Sequence, residues 1–413
     1  MSLRLAIISN GFTPYRQHVH RRIAGEWTDV ELFSVYTHEE SNAPWKFEAG
    51  ADASRVVVLG RGERAMDQSA LGGQMREWRK GGEIVRFLRE RQIGAVVVEG
   101  YNDAGRLRVI RWCARRRIPV FLFGDSNIRG DRASGMKAWI KRLLLKRVIR
   151  QCSGILVCGR LGRQYFEKYG ADPSRIYYFP YEPDYDLISG LSADEIESAR
   201  VRFGLRPGRR RIIYSGRLVP QKRVELLVSA FVRLAEERPD WDLLIVGDGV
   251  LRETLAAMIP PPLAGRVTWT GFVGDQRLVS ALYRLSDVLV LPSEYEPWAV
   301  VINEAAAAGL AIVASDVVGA AFELVSDGVN GRTFRATDAA GLEEALRDVT
   351  HLGRIEPMKK ASPRVLTDWR AKADPLSGLR QALSAAGASE LDAGWPQQPT
   401  DGGESGMTMR LEK

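Results

Sequence analysis

The chain has 413 residues, 45 % of them hydrophobic and 27 % charged, too long for one ordinary core and suited to two globular domains with extensions. Lysine and arginine number 59 against 51 acidic residues, a net charge of +8. The excess points to nucleic acid, an anionic membrane surface or a phosphorylated small molecule, without choosing among them. Cys113, Cys152 and Cys158 are an odd count without metal-type spacing, so reduced, mostly buried thiols are expected rather than a disulfide framework. No apolar stretch reaches the ~18 to 20 residues that span a bilayer. Met1 to Asn10 is a short apolar run leading straight into a turn, without the features of a signal peptide. The expected location is the cytoplasm.

Short β-branched runs alternate with longer amphipathic stretches, the pattern of a parallel sheet covered by helices. In the first half the strand-like runs are Arg4 to Ser9, Glu31 to Tyr36, Arg55 to Leu59, Ala95 to Glu99, Val120 to Phe123 and Gly154 to Val157, with helices over Gly82 to Arg91 and Arg106 to Arg116. The pattern breaks between Pro180 and Arg211, where prolines, a charged helix near Ala193 to Phe203 and the run Arg209-Arg-Arg211 read as a linker. It restarts with strands Arg211 to Ser215, Asp242 to Val246, Val267 to Thr270, Asp287 to Leu291 and Ala311 to Ala314. Helices are expected over Gln221 to Glu237, Gln276 to Leu285, Pro297 to Ala308 and Ala340 to Asp348. The prediction is an α/β chain of two doubly wound parallel-sheet domains: residues 1–185, a linker at 186–210, and a second domain at 211–350. A helical segment at 351–385, placed to pack back on the first domain, and a disordered tail at 386–413 complete it.

Two strand-to-helix corners in the second half carry chemistry. In Tyr214-Ser-Gly-Arg-Leu-Val-Pro-Gln-Lys-Arg223, Gly216 permits a tight turn after the strand, and Arg217 and Lys222 flank it, so that two cations can converge on one diphosphate; the alternative is that they are solvated surface charges. In Leu291-Pro-Ser-Glu-Tyr-Glu-Pro-Trp-Ala-Val-Val-Ile-Asn-Glu-Ala305, Pro297 suits a first helical position, and the free amides of a helix start make an anion site. Glu296 lies just outside that helix. Glu304 lies inside it, where a carboxylate among alanines suits the binding of vicinal sugar hydroxyls.

This arrangement resembles the retaining glycosyltransferases of sequence family four, which have the GT-B fold of two Rossmann-like domains facing across a cleft. The resemblance runs from about Arg211 to Val349. It rests on Gly216-Arg-Leu218 with Lys222, Val246-Gly-Asp-Gly249, Gly271-Phe-Val273, the pair Glu296 and Glu304, Gly309, Val313-Ala-Ser315 and the segment Glu323 to Asn330, in that order. It implies that Arg217 and Lys222 bind the donor diphosphate and stabilise the leaving nucleotide without a metal. It further implies that Glu304 takes the ribose hydroxyls, Glu296 the transferred sugar, Gly216 the turn beneath the phosphates, and Phe272 and Val273 the nucleobase side. The amides near Trp298 and Ala299 would face the distal phosphate, with Pro297 beside them on the donor-binding side. The co-substrate is then a nucleotide-diphosphate sugar, with no further cofactor, and configuration is retained by a front-face mechanism. The chain departs from the family at Ala299, where glycine is common, and at Ala306, where a bulkier residue is usual.

The first half says less. Asn10 and Gly11 follow the first strand and are candidates for a cleft loop on the acceptor side. Asp125, at the end of Phe121-Leu-Phe-Gly-Asp-Ser-Asn127, is a candidate catalytic residue positioning acceptor or sugar; the alternative is a turn aspartate bonded to its own loop. His18 and His20 are expected on a helix surface. Asp184-Tyr-Asp186 has the spacing of a metal-binding pair but lies in the linker rather than at a strand end, so no metal site is expected. The basic and apolar stretch 136–150 is open to three readings: a half-buried helix, a peripheral contact with anionic lipid, or an acceptor-phosphate site. No nucleic-acid module is present. The acceptor class stays wide, a glycan, a lipid-linked or a small-molecule acceptor, as in polysaccharide or glycoconjugate synthesis. A nucleotide-sugar epimerase or phosphorylase on the same fold, and a non-catalytic sugar-nucleotide-binding module, remain as alternatives.

Overall fold

The computed structural model describes residues 2–39, 55–63 and 73–388. Its backbone is built around two parallel sheets. The first contains β1 (Leu3–Ser9), β2 (Val30–Tyr36), β3 (Val56–Val58), β4 (Ala95–Glu99), β5 (Val120–Gly124), β6 (Gly154–Val157) and β7 (Ile176–Tyr178), in the order β3-β2-β1-β4-β5-β6-β7. The second contains β8 (Arg210–Ser215), β9 (Trp241–Val246), β10 (Val267–Gly271), β11 (Val288–Leu291), β12 (Ala311–Ser315) and β13 (Gly331–Phe334), in the order β10-β9-β8-β11-β12-β13. Strand order reverses between β1 and β4 and again between β8 and β11. At such points the connections leave in opposite directions and open a crevice at the carboxyl ends of the strands. The strands that read as wholly apolar, such as Ala95-Val-Val-Val98, are buried on both faces, as helices on either side require.

In the first unit the helices are α1 (Pro14–Glu26), α2 (Gln74–Glu90), α3 (Ala104–Arg115), α4 (Gly135–Ile149) and α5 (Arg160–Lys168). Next come α6 (Tyr185–Ser189) and α7 (Ala193–Arg202), then α8 (Val224–Glu237), α9 (Arg252–Ala257), α10 (Gln276–Arg284), α11 (Val300–Ala307), α12 (Ala321–Leu324) and α13 (Ala339–Val349) around the second sheet. The chain closes with α14 (Leu352–Ala373) and α15 (Pro375–Ala385). Two strands escaped the sequence pattern, β7 and β13. Both are short, and β13 opens on a glycine, Gly331, whose missing side chain lets β12 approach: a Cβ there would lie 1.9 Å from the Ile312 carbonyl oxygen.

Residues 186–210, expected as a linker, are not a free connection. α7 opens with a full capping box between Ser192 and Glu195, and α6 and α7 pack on α10, with Arg277 paired to Glu195 at 2.7 Å. Beyond the second unit, α15 returns to the first sheet against β7 and α1. Gly378 passes so close to Tyr178 that a Cβ would stand 1.7 Å from its carbonyl oxygen. Arg22 of α1 meets Asp374 at 2.8 Å. The tail expected at 386–413 falls, from residue 389 onward, outside the described residues. The three cysteines are free and buried.

Candidate active site

The two halves enclose a cleft of about 500 Å³, with walls from both. The second unit supplies Ser215, Gly216, Arg217, Lys222, Gly247, Phe272, Val273, Glu296, Pro297, Trp298, Ala299 and Glu304. The first unit supplies Pro14, Tyr15, Asp125 and Tyr181. All of the second-unit candidates named from sequence therefore line one space, at the switch point between β8 and β11.

The first corner is an interlock of backbones. Gly216 and Leu218 donate to the carbonyls of Val246 and Asp248, each at 2.9 Å. Cβ atoms on Gly247 and Gly249 would lie 2.0 and 2.4 Å from the carbonyl oxygens of Gly216 and Leu218. The glycines of Val246-Gly-Asp-Gly249 are thus needed for close approach, and they fix where Arg217 leaves the sheet. The expected helix at Gln221 differs: Pro220–Lys222 is a single 3₁₀ turn, Arg223 has left-handed backbone (φ 51°), and α8 starts at Val224. That break turns Lys222 toward the second corner.

There the helix also begins later than Pro297 suggested. The segment from Glu294 to Trp298 is irregular rather than helical, bridged to Val318 at Glu296 and held by partners on both sides. The Asn127 side-chain amide of the first unit donates to the carbonyls of Glu296 (3.0 Å), Pro297 (3.2 Å) and Val317 (3.2 Å). The amides of Gly319 and Ala320 donate to the carbonyls of Glu296 and Trp298. The backbone then reverses at Ala299, left-handed at φ 82°, and α11 starts at Val300. The N–H groups with no intrahelical partner belong to the turn that starts at Val300, three residues after the expected start at Pro297, and both Val300 and Val301 line the cleft. Ala299 occupies the position where glycine would be unstrained.

The cations and carboxylates, read from sequence as separate pairs, are joined. The Lys222 ammonium donates to the Glu296 carboxylate across the corner, and the Glu294 amide donates to the Gln221 carbonyl at 3.0 Å beside it. Arg217 is exposed to the cleft, and no carboxylate pairs with its guanidinium among the described residues. Glu304 accepts from the Tyr283 hydroxyl at 2.9 Å. Burial deep in the cleft wall pushes its carboxyl up to about 7, against a smaller lowering by that hydrogen bond. Tyr283 itself is fully buried on α10.

On the opposite wall, Asp125 has accessible surface toward the cleft, yet it lies deep between the two halves. Its carboxyl is pushed up by desolvation, opposed by Arg16 and reinforced by Glu99 and Glu296. Arg16 pairs with Glu99 at 2.7 Å and donates to the Tyr181 hydroxyl at 3.2 Å. Asn10 and Gly11 do not line the cavity. The Asn10 side chain accepts from Arg106, and the Gly11 carbonyl accepts from Arg16 at 3.0 Å. Their loop reaches the cleft through Pro14 and Tyr15 instead. Asp184 caps α6 by accepting from the Leu187 amide at 3.1 Å and faces His18 at 3.6 Å. His20, expected on a surface, is buried against Ser34 at 2.8 Å, and burial drops its pKa to about 3. His38, Glu63 and Glu77 form the one group of clustered metal-type ligands among the described residues. The Lys80 ammonium sits among them, 2.6 Å from Glu63 and 3.1 Å from Glu77, and none of the three lines the cleft.

Residues 195–363 match the family of glycosyl transferases group 1. That segment of the chain belongs to this family. It contains both corners and the whole run from Gly216 to Glu304. The D-inositol 3-phosphate glycosyltransferase of Nocardia farcinica is 31 % identical over 237 residues, 54 % of this chain and 50 % of that protein. The chain spans about half the length, or less, of the curated relatives it matches. Among solved structures, sucrose-phosphate synthase from Thermosynechococcus elongatus superposes with a TM-score of 0.72 at 18 % identity, over 93 % of this chain and all of that one. Anabaena HepE in complex with UDP-glucose does so with a TM-score of 0.65 at 17 % identity, over 92 % of this chain and 98 % of that one. The two-sheet architecture is GT-B.

Several residues that line the cleft or hold its lining residues gave no signal in the sequence. Tyr283 sits in an ordinary amphipathic helix, and Asn127 and Tyr181 lie in loops. The role of each exists only through partners far away in the chain. Asn127 could have been suspected as a polar residue closing the apolar strand run before it. Tyr181 and Tyr283 could not.

Proposed function

We propose that the protein is a glycosyltransferase that moves a sugar from a nucleotide-diphosphate sugar to an acceptor bound against its first unit. The observation that carries the reading is the convergence, at one switch point, of Arg217 and Lys222 with Glu296, Glu304 and the open amides of α11. The two cations and the helix start take the diphosphate and stabilise the charge that grows on it as the glycosidic bond breaks. Glu304 accepts from the ribose hydroxyls. Glu296, anchored by Lys222 and by the Asn127 clasp on its own carbonyl, accepts from hydroxyls of the transferred sugar. Phe272 and Val273 flank the base.

The diphosphate leaves from the face on which the acceptor arrives. Its departing oxygen is the base nearest the acceptor hydroxyl in such an arrangement, so the reading includes retention of anomeric configuration without a metal. Asp125, its carboxyl raised from the ordinary value by burial, holds a sugar or acceptor hydroxyl from the opposite wall. The acceptor is a glycan, a lipid-linked saccharide or a small molecule, as in polysaccharide or glycoconjugate synthesis. Nucleotide sugars are screened by thermal shift, and products formed with and without candidate acceptors are then analysed by mass spectrometry and NMR. An α-linked product from an α-linked donor supports the reading. Isomerised donor in the absence of acceptor would make the protein an epimerase instead.

A further inference from the structure

α4 stands apart from every other helix of the first unit in what it leaves uncovered. Leu145 and Ile149 bury its inner side, while Met136 (70 % exposed), Trp139 (59 %), Ile140 (45 %), Leu143 (50 %) and Leu144 (62 %) remain on the outside. At 3.6 residues per turn, Met136, Ile140, Leu143 and Arg147 follow one outward line, flanked by Trp139 on one side and Leu144 on the other. Scattered exposed apolar residues need no account, but five large ones on one helix face form a patch. The same face carries Arg147 and Arg150, with Lys137 at its edge, and no acidic residue occurs between Asp131 and Glu167.

Beside this face, Arg111 and Arg115 of α3 and Arg147 of α4, with Ala114 and Gln151, line a shallow pocket of about 400 Å³. Among the described residues no carboxylate pairs with any of the three guanidiniums. One turn before Arg111, Leu107 is also exposed (39 %).

We propose that this face docks on an anionic lipid bilayer, with the Arg111–Arg115–Arg147 pocket taking a lipid phosphate at its edge. Three considerations select that occupant. Aliphatic side chains such as Ile140 and Leu143 gain nothing from a nucleic-acid backbone, but bury at the boundary of headgroup and acyl chain. The arginines beside them have stems long enough to lie along apolar surface with the charge at the phosphate level. A second copy of the chain would bring cationic face against cationic face, which like-charge repulsion opposes. The loop 125–134, which carries Asp125 into the cleft and Asn127 onto the Glu296 segment, runs directly into α4, so the docking element and the cleft are joined by a single short loop.

The test is co-sedimentation of the full chain with vesicles of phosphatidylcholine alone, or of phosphatidylcholine with one third phosphatidylglycerol, at low and high salt. Each lysine or arginine near an anionic surface contributes about fivefold in binding. Arg111→Ala with Arg115→Ala is therefore expected to weaken binding to the anionic vesicles about 25-fold without altering the melting temperature. Leu143→Ser with Leu144→Ser is expected to weaken it at least about tenfold and to abolish the fraction that survives high salt. Absence of wild-type binding to anionic vesicles at low salt overturns the proposal. So does wild-type binding by the leucine variant, or equal binding to soluble heparin with no dependence on Leu143 and Leu144. Loss of a dimer on size exclusion in the leucine variant, without vesicle binding by wild type, assigns the face to a second copy and likewise overturns it. None of these readouts requires turnover, so the proposal stands or falls separately from the transferase reading.

Discussion

Glu304 carries the most quantitative expectation. Its carboxyl is raised from 4.5 to about 7 in the folded chain. The unfolded chain loses this proton near 4.5 and the folded chain near 7, so the folded state binds the extra proton between those values. Stability without ligand therefore falls as pH rises through that window, by a few kcal/mol at most, and is flat on either side. Donor binding works in the opposite sense. If ribose hydroxyls donate to Glu304, only the ionised carboxylate is fully competent, and binding must drive the proton off. The ionised fraction rises from about one tenth at pH 6 to about nine tenths at pH 8, so affinity for a nucleotide sugar should strengthen about tenfold over that range and level off above it. At pH 7 binding should release up to about half a proton. Isothermal titration in two buffers of different ionisation enthalpy measures both quantities. A nucleotide sugar is the proper ligand, because its diester phosphates do not titrate in this range. Glu304→Gln removes the titrating group, and with it the slope and the proton release, while binding weakens at every pH. A wild-type affinity constant from pH 6 to 8, or the same slope in Glu304→Gln, would refute the assignment of ribose to Glu304.

Other substitutions follow from the geometry. Ala299→Gly relieves left-handed backbone that costs an L-residue roughly 1 kcal/mol, so the melting temperature should hold or rise by about 2 °C; a clear fall contradicts the strain. Gly247→Ala drives a methyl group into the Gly216 carbonyl and should cost more than about 2 kcal/mol in denaturant unfolding, and donor binding with it. Asn127→Ala takes the side-chain donor from the Pro297 and Val317 carbonyls and leaves the Glu296 carbonyl only the Gly319 amide, and should cost about 1–3 kcal/mol. Its KM for donor should rise more than kcat falls, because the residue positions the Glu296 loop rather than touching the diphosphate.

The second unit was readable because most of its candidate residues lie in the short corners that follow strand ends, with Glu304 in the helix that leaves one of them. Buried β-branched runs mark those ends, and short corners with glycine or proline leave little freedom in where Arg217, Phe272 or Glu296 can go. Two details of those corners were not readable. Pro297 fits a helix start in isolation, but hydrogen bonds from Asn127, Gly319 and Ala320 hold its segment out of the helix, so tertiary contacts overrode the local preference. Lys222 and Glu296 are 74 positions apart, and their pairing depends on β8 and β11 being neighbours, which a linear pattern does not show. The first unit was less readable for a related reason. Its cleft wall is made by residues such as Tyr15, in the first turn of α1, and Tyr181, in a loop, while Asn10 and Gly11, the residues nearest the strand end, turn to Arg106 and Arg16. The exposed face of α4 was visible only as a mixture of charge and apolar residues; burial of Leu145 and Ile149 showed which side faces out.

The central claim is that Arg217, Lys222, Glu296 and Glu304 hold a nucleotide sugar for transfer. The most direct test is release of nucleoside diphosphate, with matching sugar product, by wild type, Lys222→Ala and Glu304→Ala at equal folded concentration, checked by circular dichroism. Turnover by wild type is expected, with a loss of at least about 100-fold in each variant, the scale of removing a charge that acts on the leaving group or anchors the donor. Full turnover by either folded variant would contradict it.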